Sequence, residues 1–242
     1  MGGSRDDYAS RDWVGVGMTR AHQVTDGSRA VPDLPEVRVT PKPSVRHQAK
    51  ALTKSLVAWV LRRPCEADIQ DAVRIKHSSE VRQVVMVLTL TEIPLAFLVS
   101  RIVPPPARPA HAALEILLIL LGFSILATMA RHPHTVSSSA VALRTGFLGD
   151  IVLPRESVRS AARSMRTIEG RGLRRVPDDP SALACSIGAS VNVVIRLDTP
   201  VLVDLRDGGP IEVRTVHISA DSPDEVSRAL RGGDATGRRG QA

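Results

Sequence analysis

The chain is poor in aromatic side chains, with one tyrosine, two tryptophans and three phenylalanines among 242 residues. Proteins that bind single-stranded nucleic acid stack the bases on aromatic side chains, so this scarcity argues against RNA or single-stranded DNA as a partner. The formal net charge of +7 is better explained by attraction to an anionic lipid surface.

Cysteine is equally scarce, and no catalytic motif is present. Cys65 and Cys185 are far apart in the sequence, so neither a disulfide framework nor a metal-binding spacing is indicated. The G-x-S-x-G, G-x-x-x-x-G-K-[ST] and H-E-x-x-H patterns are all missing. His132 and His134 have no nearby cysteine or carboxylate in the sequence and make a poor zinc site. We therefore predict no catalytic residues, no cofactor and no metal, which favours a protein that is not an enzyme.

What the chain does have is two apolar runs, residues 84–103 and 112–130. Each contains about the 20 residues that a helix needs to cross the hydrocarbon of a bilayer. The proline-rich residues 104–109 between them cannot continue a helix and are too short to form a domain. The sequence therefore predicts a transmembrane helical hairpin over residues 84–130. The alternative is a pair of buried helices in a soluble protein.

The distribution of basic residues predicts how this hairpin is oriented. Only Arg101 and Arg108 lie at its tip. The opposite end is rich in basic residues, and cytoplasmic loops carry an excess of lysine and arginine. We therefore expect a two-span protein of the cell membrane with both termini in the cytoplasm. The basic residues that flank the hairpin are Arg62, Arg63, Arg74, Lys76, Arg82, Arg131 and Arg144.

The N-terminal third divides into a tail and a helical region. Residues 1–43 are rich in Gly, Ser, Asp, Arg and Pro and predict a disordered tail. Residues 44–83 form a basic region that begins with an amphipathic helix over 44–63 and continues as a polar, partly helical connector over 66–82. A basic amphipathic helix with a tryptophan is typical of the headgroup boundary of a membrane. Packing on the protein's own cytosolic domain is the alternative. The apolar stripe consists of Val45, Ala49, Leu52, Leu56, Trp59 and Val60.

After the second run, alternation with a period of two predicts short strands over residues 131–231. The predicted strands are residues 136–144, 150–153, 191–197, 201–205 and 211–219, with a turn at 198–200 and a polar loop at 169–180. Ser222, Pro223 and Glu225 then form a capping box that predicts the start of a helix. Gly232 and Gly233 should end this helix, and a disordered tail should follow over 232–242. The pattern predicts a small β-barrel or sandwich closed by one C-terminal helix.

Four segments of the chain resemble a known family. They are TLTEIPLAFLV at 89–99, ARHPHTVSSSAVALRTGFLGDIVLP at 130–154, VNVVIRLDTPVLV at 191–203 and VHISADSPDEVSRAL at 216–230. The chain is similar to actinobacterial integral membrane proteins in which two spans precede a bacterial pleckstrin-homology-like domain. The likeness covers residues 84–231 and implies a bent barrel of roughly seven strands capped by the C-terminal helix. The expected fold is therefore an α+β membrane protein, a transmembrane hairpin followed by this domain. Members are mostly unassigned in function, so no catalytic residue is implied.

Glu92 falls near the middle of the first run, where a charge costs several kcal/mol. Pro94 follows and is expected to kink the helix, and Ser124 on the second run is the candidate hydrogen-bond partner. Two hypotheses stay open, a protonated glutamic acid that bonds between helices or subunits and a proton or ligand site. Arg101 and Glu115 are expected to form a structural ion pair near the outer face.

Basic side chains in two segments are candidates for contact with lipid headgroups. They are Lys50, Lys54, Arg62 and Arg63 in the amphipathic helix and Arg171, Arg174 and Arg175 in the polar loop.

These patterns predict a non-enzymatic integral membrane protein whose cytosolic domain is an interaction or assembly module at the inner leaflet. Its expected partners are the anionic lipid of that leaflet and either another protein or further copies of itself. One alternative is a subunit of an oligomeric transporter or channel with Glu92 in the path. A second is a membrane enzyme that acts on a lipophilic substrate.

Overall fold

The computed structural model describes residues 37–40, 43–63, 72–205 and 209–237, with side chains through residue 232. These residues form four α-helices and ten strands, which confirms the predicted α+β class. The helices are α1 (Val45–Val60), α2 (Ser79–Ile102), α3 (Arg108–Arg131) and α4 (Pro223–Gly237). The strands are β1 (Arg38–Thr40), β2 (Val73–Ile75), β3 (His134–Val136), β4 (Ala140–Leu143), β5 (Asp150–Pro154), β6 (Val158–Thr167), β7 (Gly172–Val176), β8 (Asp179–Ser186), β9 (Ser190–Leu205) and β10 (Gly209–Ile218).

The two apolar runs form α2 and α3, each of 24 residues. Both are long and apolar enough to cross a membrane. A short 3₁₀ turn, Pro105–Ala107, joins them into an antiparallel hairpin. Each helix is slightly longer than its apolar run: α2 begins five residues before its run, beside the sheets, and α3 begins four residues before its run, at the tip.

The hairpin packs tightly at one point, where Gly122 of α3 meets Thr89 of α2. A Cβ atom at position 122 would lie only 2.1 Å from Thr89 Oγ1. Glycine allows this approach because it has no side chain, as is common where membrane helices meet. With Thr89 beside Gly122, the antiparallel arrangement sets Glu92 level with Ile119, further toward the tip than Ser124.

The first sheet has the strand order β1-β5-β4-β3-β2, and all its pairs are antiparallel. Both edge strands come from the N-terminal third of the chain. The hairpin is therefore an insertion between two paired strands, since β2 pairs with β3. Two predictions are wrong here, because residues 38–40 of the expected tail and residues 73–75 of the expected connector are strands. Residues 1–36 of that tail and Cys65 lie outside the described residues.

The second sheet has the order β6-β9-β10-β8-β7, with β8 and β10 parallel and the other pairs antiparallel. The turn predicted at residues 198–200 is wrong, since β9 runs through it. At this point residues 197–200 of β9 lie opposite Arg214 alone, between the pairs Val213–Val201 and Thr215–Arg196, so a bulge in β9 takes the place of a turn. The polar loop predicted at 169–180 is also wrong, because it contains β7 and the start of β8.

The C-terminal helix begins as predicted, with the Glu225 N–H donating to the Ser222 carbonyl oxygen at 3.1 Å. It continues to Gly237 instead of ending at Gly232 and Gly233. Glycine lowers helix stability without forbidding a helix, so the pair does not act as a stop signal. Residues 238–242 of the predicted tail lie outside the described residues.

The two sheets share one hydrophobic core instead of closing into a barrel. Leu143, Ile151 and Leu153 of the first sheet pack with residues of the second such as Ile195 and Ile218. The helix α4 adds Val226 and Leu230 to the same core. The expected barrel is therefore wrong, because each sheet keeps its own pair of edge strands. We call the two sheets with α4 the β-domain.

Candidate functional site

A groove lies where the hairpin meets the β-domain. It is lined by one side of α1, α2 and α3 and by the turns that connect β4 to β5, β6 to β7 and β8 to β9. Its volume is about 770 Å³, within the range of about 300–1,000 Å³ that is typical of small-ligand sites. The walls are mainly apolar and include Leu52, Val84, Leu88, Leu118, Leu121 and Ile125.

Charged groups lie at the two ends of this groove. Glu80 lines it from the first turn of α2 and Arg171 from the turn after β6, beside the β-domain. Glu92 also lines it, about 18 Å further along α2 by the rise of an α-helix. The groove is therefore polar at the β-domain and apolar along the hairpin, with one carboxyl group deep in the apolar part.

Ser124 is not the partner of Glu92, so that prediction is wrong. The Ser124 hydroxyl donates to the Leu120 carbonyl oxygen of its own helix at 2.6 Å. The turn at the tip is tighter than the sequence suggested, which moves Ser124 away from the level of Glu92. The Glu92 side chain is half-buried and has no hydrogen bond to any described residue. Pro94 lies inside α2, which continues through it. Both hypotheses for Glu92 stay open.

The ion pair expected between Arg101 and Glu115 is also not formed. Glu115 Oε1 lies 3.6 Å from His111 Nδ1, one turn earlier on α3, and the Arg101 side chain is exposed. The i, i+4 spacing brings His111 and Glu115 together on one helix face. Their other polar atoms, His111 Nε2 and Glu115 Oε2, are buried and have no hydrogen-bond partner in the described part of the chain.

The amphipathic helix is confirmed as α1, but only Leu52 and Leu56 of the predicted stripe are half-buried. Ser55 is buried, and Gln48 and Leu52 are half-buried, where α1 meets α3. Ser55 Oγ lies 3.5 Å from His132 Nε2. Much of the predicted stripe stays exposed, namely Val45, Trp59 and Val60 together with the neighbouring Val57 and Leu61. The helix therefore both packs on the hairpin and presents an apolar side outward.

The seven candidate basic residues have different environments. Lys50, Lys54, Arg62 and Arg63 are exposed on α1 and its C-terminal end, and Arg171 and Arg175 are exposed on the β-domain. The Arg63 carbonyl oxygen accepts a hydrogen bond from Arg131 at 2.7 Å, and Arg175 donates to the Gly209 carbonyl oxygen at 2.9 Å.

Arg174 is a structural residue, so its assignment to lipid headgroups is wrong. Its guanidinium donates to the carbonyl oxygens of Ile168 and Glu169 at 2.7 Å and of Gly172 at 2.9 Å. It also donates to Ser186 Oγ at 3.2 Å. These bonds hold together the turns after β6 and β8, which form the mouth of the groove. Alternation along β7 places Arg174 on the opposite side of the strand from the core residue Leu173 and from Arg175.

Two buried histidines, His77 and His134, lie next to each other below the hairpin, and the sequence did not predict that they meet. The His77 and His134 rings meet edge to face with centroids 4.5 Å apart. His134 Nδ1 accepts from the Arg144 N–H at 3.1 Å and its Nε2 donates to the Ser219 carbonyl oxygen at 3.3 Å. His77 Nε2 donates to the His132 carbonyl oxygen at 2.7 Å. The bonds fix a neutral His134, since a proton on Nδ1 would face the donor of Arg144.

Burial lowers the pKa of both histidines, most strongly that of His134, whose neighbours His77 and Arg144 lower it further. The described residues contain no group of three or more His, Cys, Asp or Glu side chains arranged to hold a metal ion. The two histidines therefore act as uncharged hydrogen-bonding groups that join β2 and β3 to the end of β10.

No family model, curated protein or solved structure matches this chain. The resemblance to two-span proteins with a pleckstrin-homology-like domain therefore stays a prediction from the residues.

Proposed function

We propose that this chain is an integral protein of the cell membrane whose α2–α3 hairpin crosses the bilayer with both termini in the cytoplasm. Its β-domain, of pleckstrin-homology-like type, then serves as an interaction and assembly module at the inner leaflet. The observation that carries the proposal is the exposure of the hairpin. Only 6% of the most apolar window of α2 and 22% of that of α3 is buried.

A core helix of a soluble protein would bury these windows. Instead Phe97, Leu98 and Ile102 are exposed to 73%, 68% and 82%. Burying one such side chain is worth about 1.5–3 kcal/mol, and soluble monomers rarely expose a large contiguous apolar patch. The hydrocarbon of a lipid bilayer is an environment that matches the exposed apolar surface along the whole length of both helices.

The connections of the hairpin support the position of the β-domain. The strand β2 leads into α2 and α3 leads into β3, so the first sheet lies directly at the base of the hairpin. Arg82, Arg131 and Arg144 lie at this end, as expected for a cytoplasmic side. Two sheets with a common core and a C-terminal helix are compatible with a small module of the pleckstrin-homology type.

Thiol labelling in intact cells tests the orientation. We expect a cysteine placed at Met165 on β6, where the side chain is 84% exposed, to be protected from an impermeant maleimide. A cysteine placed at Ala107 in the tip should react. Both variants carry Cys65→Ser. Cys185 can remain, because it is fully buried and burial raises the pKa of its thiol, which suppresses reaction.

Two outcomes would contradict the proposal. The opposite labelling pattern would place the β-domain outside the cell. Release of the protein from membranes by alkaline carbonate would show that the hairpin does not cross the bilayer. Permeabilised cells are the control, since the cysteine at position 165 must then react as readily as the one at position 107.

A specific observation favours a second candidate function, a subunit of an oligomeric transporter or channel. Glu92, Glu115 and His111 lie on the sides of α2 and α3 that face each other, and two of their polar atoms are buried without partners in the described residues. Polar groups in hydrocarbon are costly unless they are paired or line a path. Two helices cannot enclose a path, so this function requires several copies.

Flux into proteoliposomes separates the two candidates. If Glu92 must change its charge to carry protons, wild-type protein should acidify the lumen under an imposed gradient and Glu92→Gln should abolish this flux. Glu156→Gln, at an exposed carboxylate of the β-domain, is the matched control and should keep it. A monomer in detergent and in lipid, with no flux, would rule out the transport function.

A further inference from the structure

We infer that the groove between the hairpin and the β-domain binds one phospholipid with a zwitterionic, ammonium-bearing headgroup. The site specifies the lipid partner of the proposed membrane protein and therefore rests on that proposal. The charges at the mouth of the groove, its apolar walls and its fixed shape all suit such a lipid.

The mouth of the groove presents one charge of each sign. Glu80 and Arg171 both line it and are exposed, and neither forms a hydrogen bond or ion pair with another described residue. A phosphodiester accepts hydrogen bonds from a guanidinium, and a primary ammonium donates to a carboxylate. A headgroup that carries both charges satisfies both side chains. A purely anionic headgroup would satisfy Arg171 and be repelled by Glu80.

The remainder of the groove suits an acyl chain. Val84, Leu88 and Leu121 line it and are also exposed, so the groove is continuous with the apolar surface of the hairpin. A lipid can therefore enter sideways from the inner leaflet with its chain along α2. Glu92 lies at the far end, at a depth where a carboxyl group is favoured in its neutral form.

Contacts on both sides hold the groove in shape. Arg174 ties the turn that carries Arg171 to the turn after β8 through Ser186 Oγ and the Gly188 carbonyl oxygen. On the opposite side Thr89 and Gly122 hold α2 and α3 together. A site that is already in its bound shape loses less entropy on binding, which distinguishes it from the ordinary lipid-facing surface.

Native mass spectrometry of the full-length, delipidated protein in detergent tests the inference with three probes. These are phosphatidylethanolamine, phosphatidylglycerol and phosphatidylcholine of identical acyl chains. We expect one tightly bound phosphatidylethanolamine per chain. Leu88→Trp fills the groove and should weaken this binding about tenfold, or about 1.4 kcal/mol. Val87→Trp, one residue along on α2 and outside the groove lining, is the matched control and should bind normally.

The two charged residues make separate predictions. Arg171→Gln should weaken all three lipids, because each has a phosphate. Glu80→Gln should weaken phosphatidylethanolamine most and phosphatidylcholine less, because choline has the positive charge but no N–H to donate. It should strengthen phosphatidylglycerol, because the repelling carboxylate is gone. Glu156→Gln should change none of the three affinities.

The inference fails if the three lipids bind equally and Leu88→Trp has no effect, since that behaviour is expected of lipid around any membrane helix. It also fails if wild-type protein prefers phosphatidylglycerol. Either result leaves the proposed membrane function intact when the protein resists carbonate extraction. Release by carbonate would instead contradict the proposed function itself.

Discussion

Leucine at position 122 is expected to separate α2 from α3 and to cause the largest loss of stability among single changes in the hairpin. A Cβ atom there would lie 2.1 Å from Thr89 Oγ1 and 2.9 Å from Thr89 Cγ2. Thr89 is buried and its hydroxyl donates to the Val85 carbonyl oxygen at 2.7 Å, so it cannot easily move aside. Overpacking of this kind costs about 1–3 kcal/mol for small additions, and we expect Gly122→Leu to reach or exceed the upper value.

Unfolding of the purified protein in mixed micelles, followed by circular dichroism, measures this effect. Ala113→Leu is the matched control, because Ala113 is exposed on the same helix and the change should be nearly neutral. In a double variant, Thr89→Ala should partly rescue Gly122→Ala, since the nearest contact becomes the Cβ atom at 3.0 Å. Equal stability of Gly122→Leu and Ala113→Leu would show that the helices do not pack at this point.

Acidification below pH 6.5 is expected to destabilise the β-domain through His77 and His134. Burial lowers the pKa of both histidines in the folded protein, whereas an unfolded histidine titrates near 6.5. Above this value both states are neutral and the stability is fully present. As the pH falls from 6.5 toward the folded pKa, only the unfolded state takes up protons. Each histidine that stays neutral then lowers the free energy of unfolding by about 1.4 kcal/mol per pH unit.

The neighbours of the two rings determine the pH at which each histidine takes up its proton in the folded state, where the loss of stability ends. For His77, burial is opposed by the hydrogen bond to the His132 carbonyl oxygen and by the charge of Asp150, while His132 and Arg82 add to the lowering. For His134, His77 and Arg144 add to the effect of burial, and the bond to Ser219 opposes it. We therefore expect His77 to take up its proton in the folded state at a higher pH than His134.

Urea unfolding at several pH values tests this linkage. His134→Asn places an amide where its oxygen can still accept from the Arg144 N–H. The variant should be less stable than wild type at pH 8. Between pH 6.5 and 5 its free energy of unfolding should fall less steeply than that of wild type, by about 1.4 kcal/mol per pH unit, because one titrating histidine is gone. His47→Asn, at an exposed histidine on α1, is the control and should keep the wild-type slope. An unchanged slope in His134→Asn would contradict a neutral, buried His134.

Local patterns determined a large part of this protein. The two apolar runs predicted α2 and α3, and Pro104, Pro105 and Pro106 placed the turn between them because proline cannot continue a helix. Ser222, Pro223 and Glu225 predicted the start of α4 because a helix start is a local arrangement of a few neighbouring residues. Period-two alternation predicted β4, β5, β9 and β10, since adjacent side chains of a strand lie on opposite sides, but it did not predict β6, β7 or β8.

Only the tertiary structure decided which distant segments meet. The pairings of β1 with β5 and of β2 with β3 recruit the N-terminal third into the first sheet, and these strands of three residues are too short for a recognisable period. The same holds for side chains that look equivalent in the sequence. Arg171 lies in the turn before β7 and is exposed at the groove. Arg174 lies within β7 and donates to the turns beside the groove, because the β8–β9 turn folds against it.

Inside the hairpin, a tip turn slightly tighter than expected changed both predicted facing pairs. It took Ser124 away from Glu92, and Glu115 lies against His111 instead of Arg101. Composition and period therefore determined the four helices, part of the strands and the apolar surface of the hairpin. Register and long-range pairing determined the groove, the buried histidines and the sheet edges, because these depend on contacts between residues far apart in the chain.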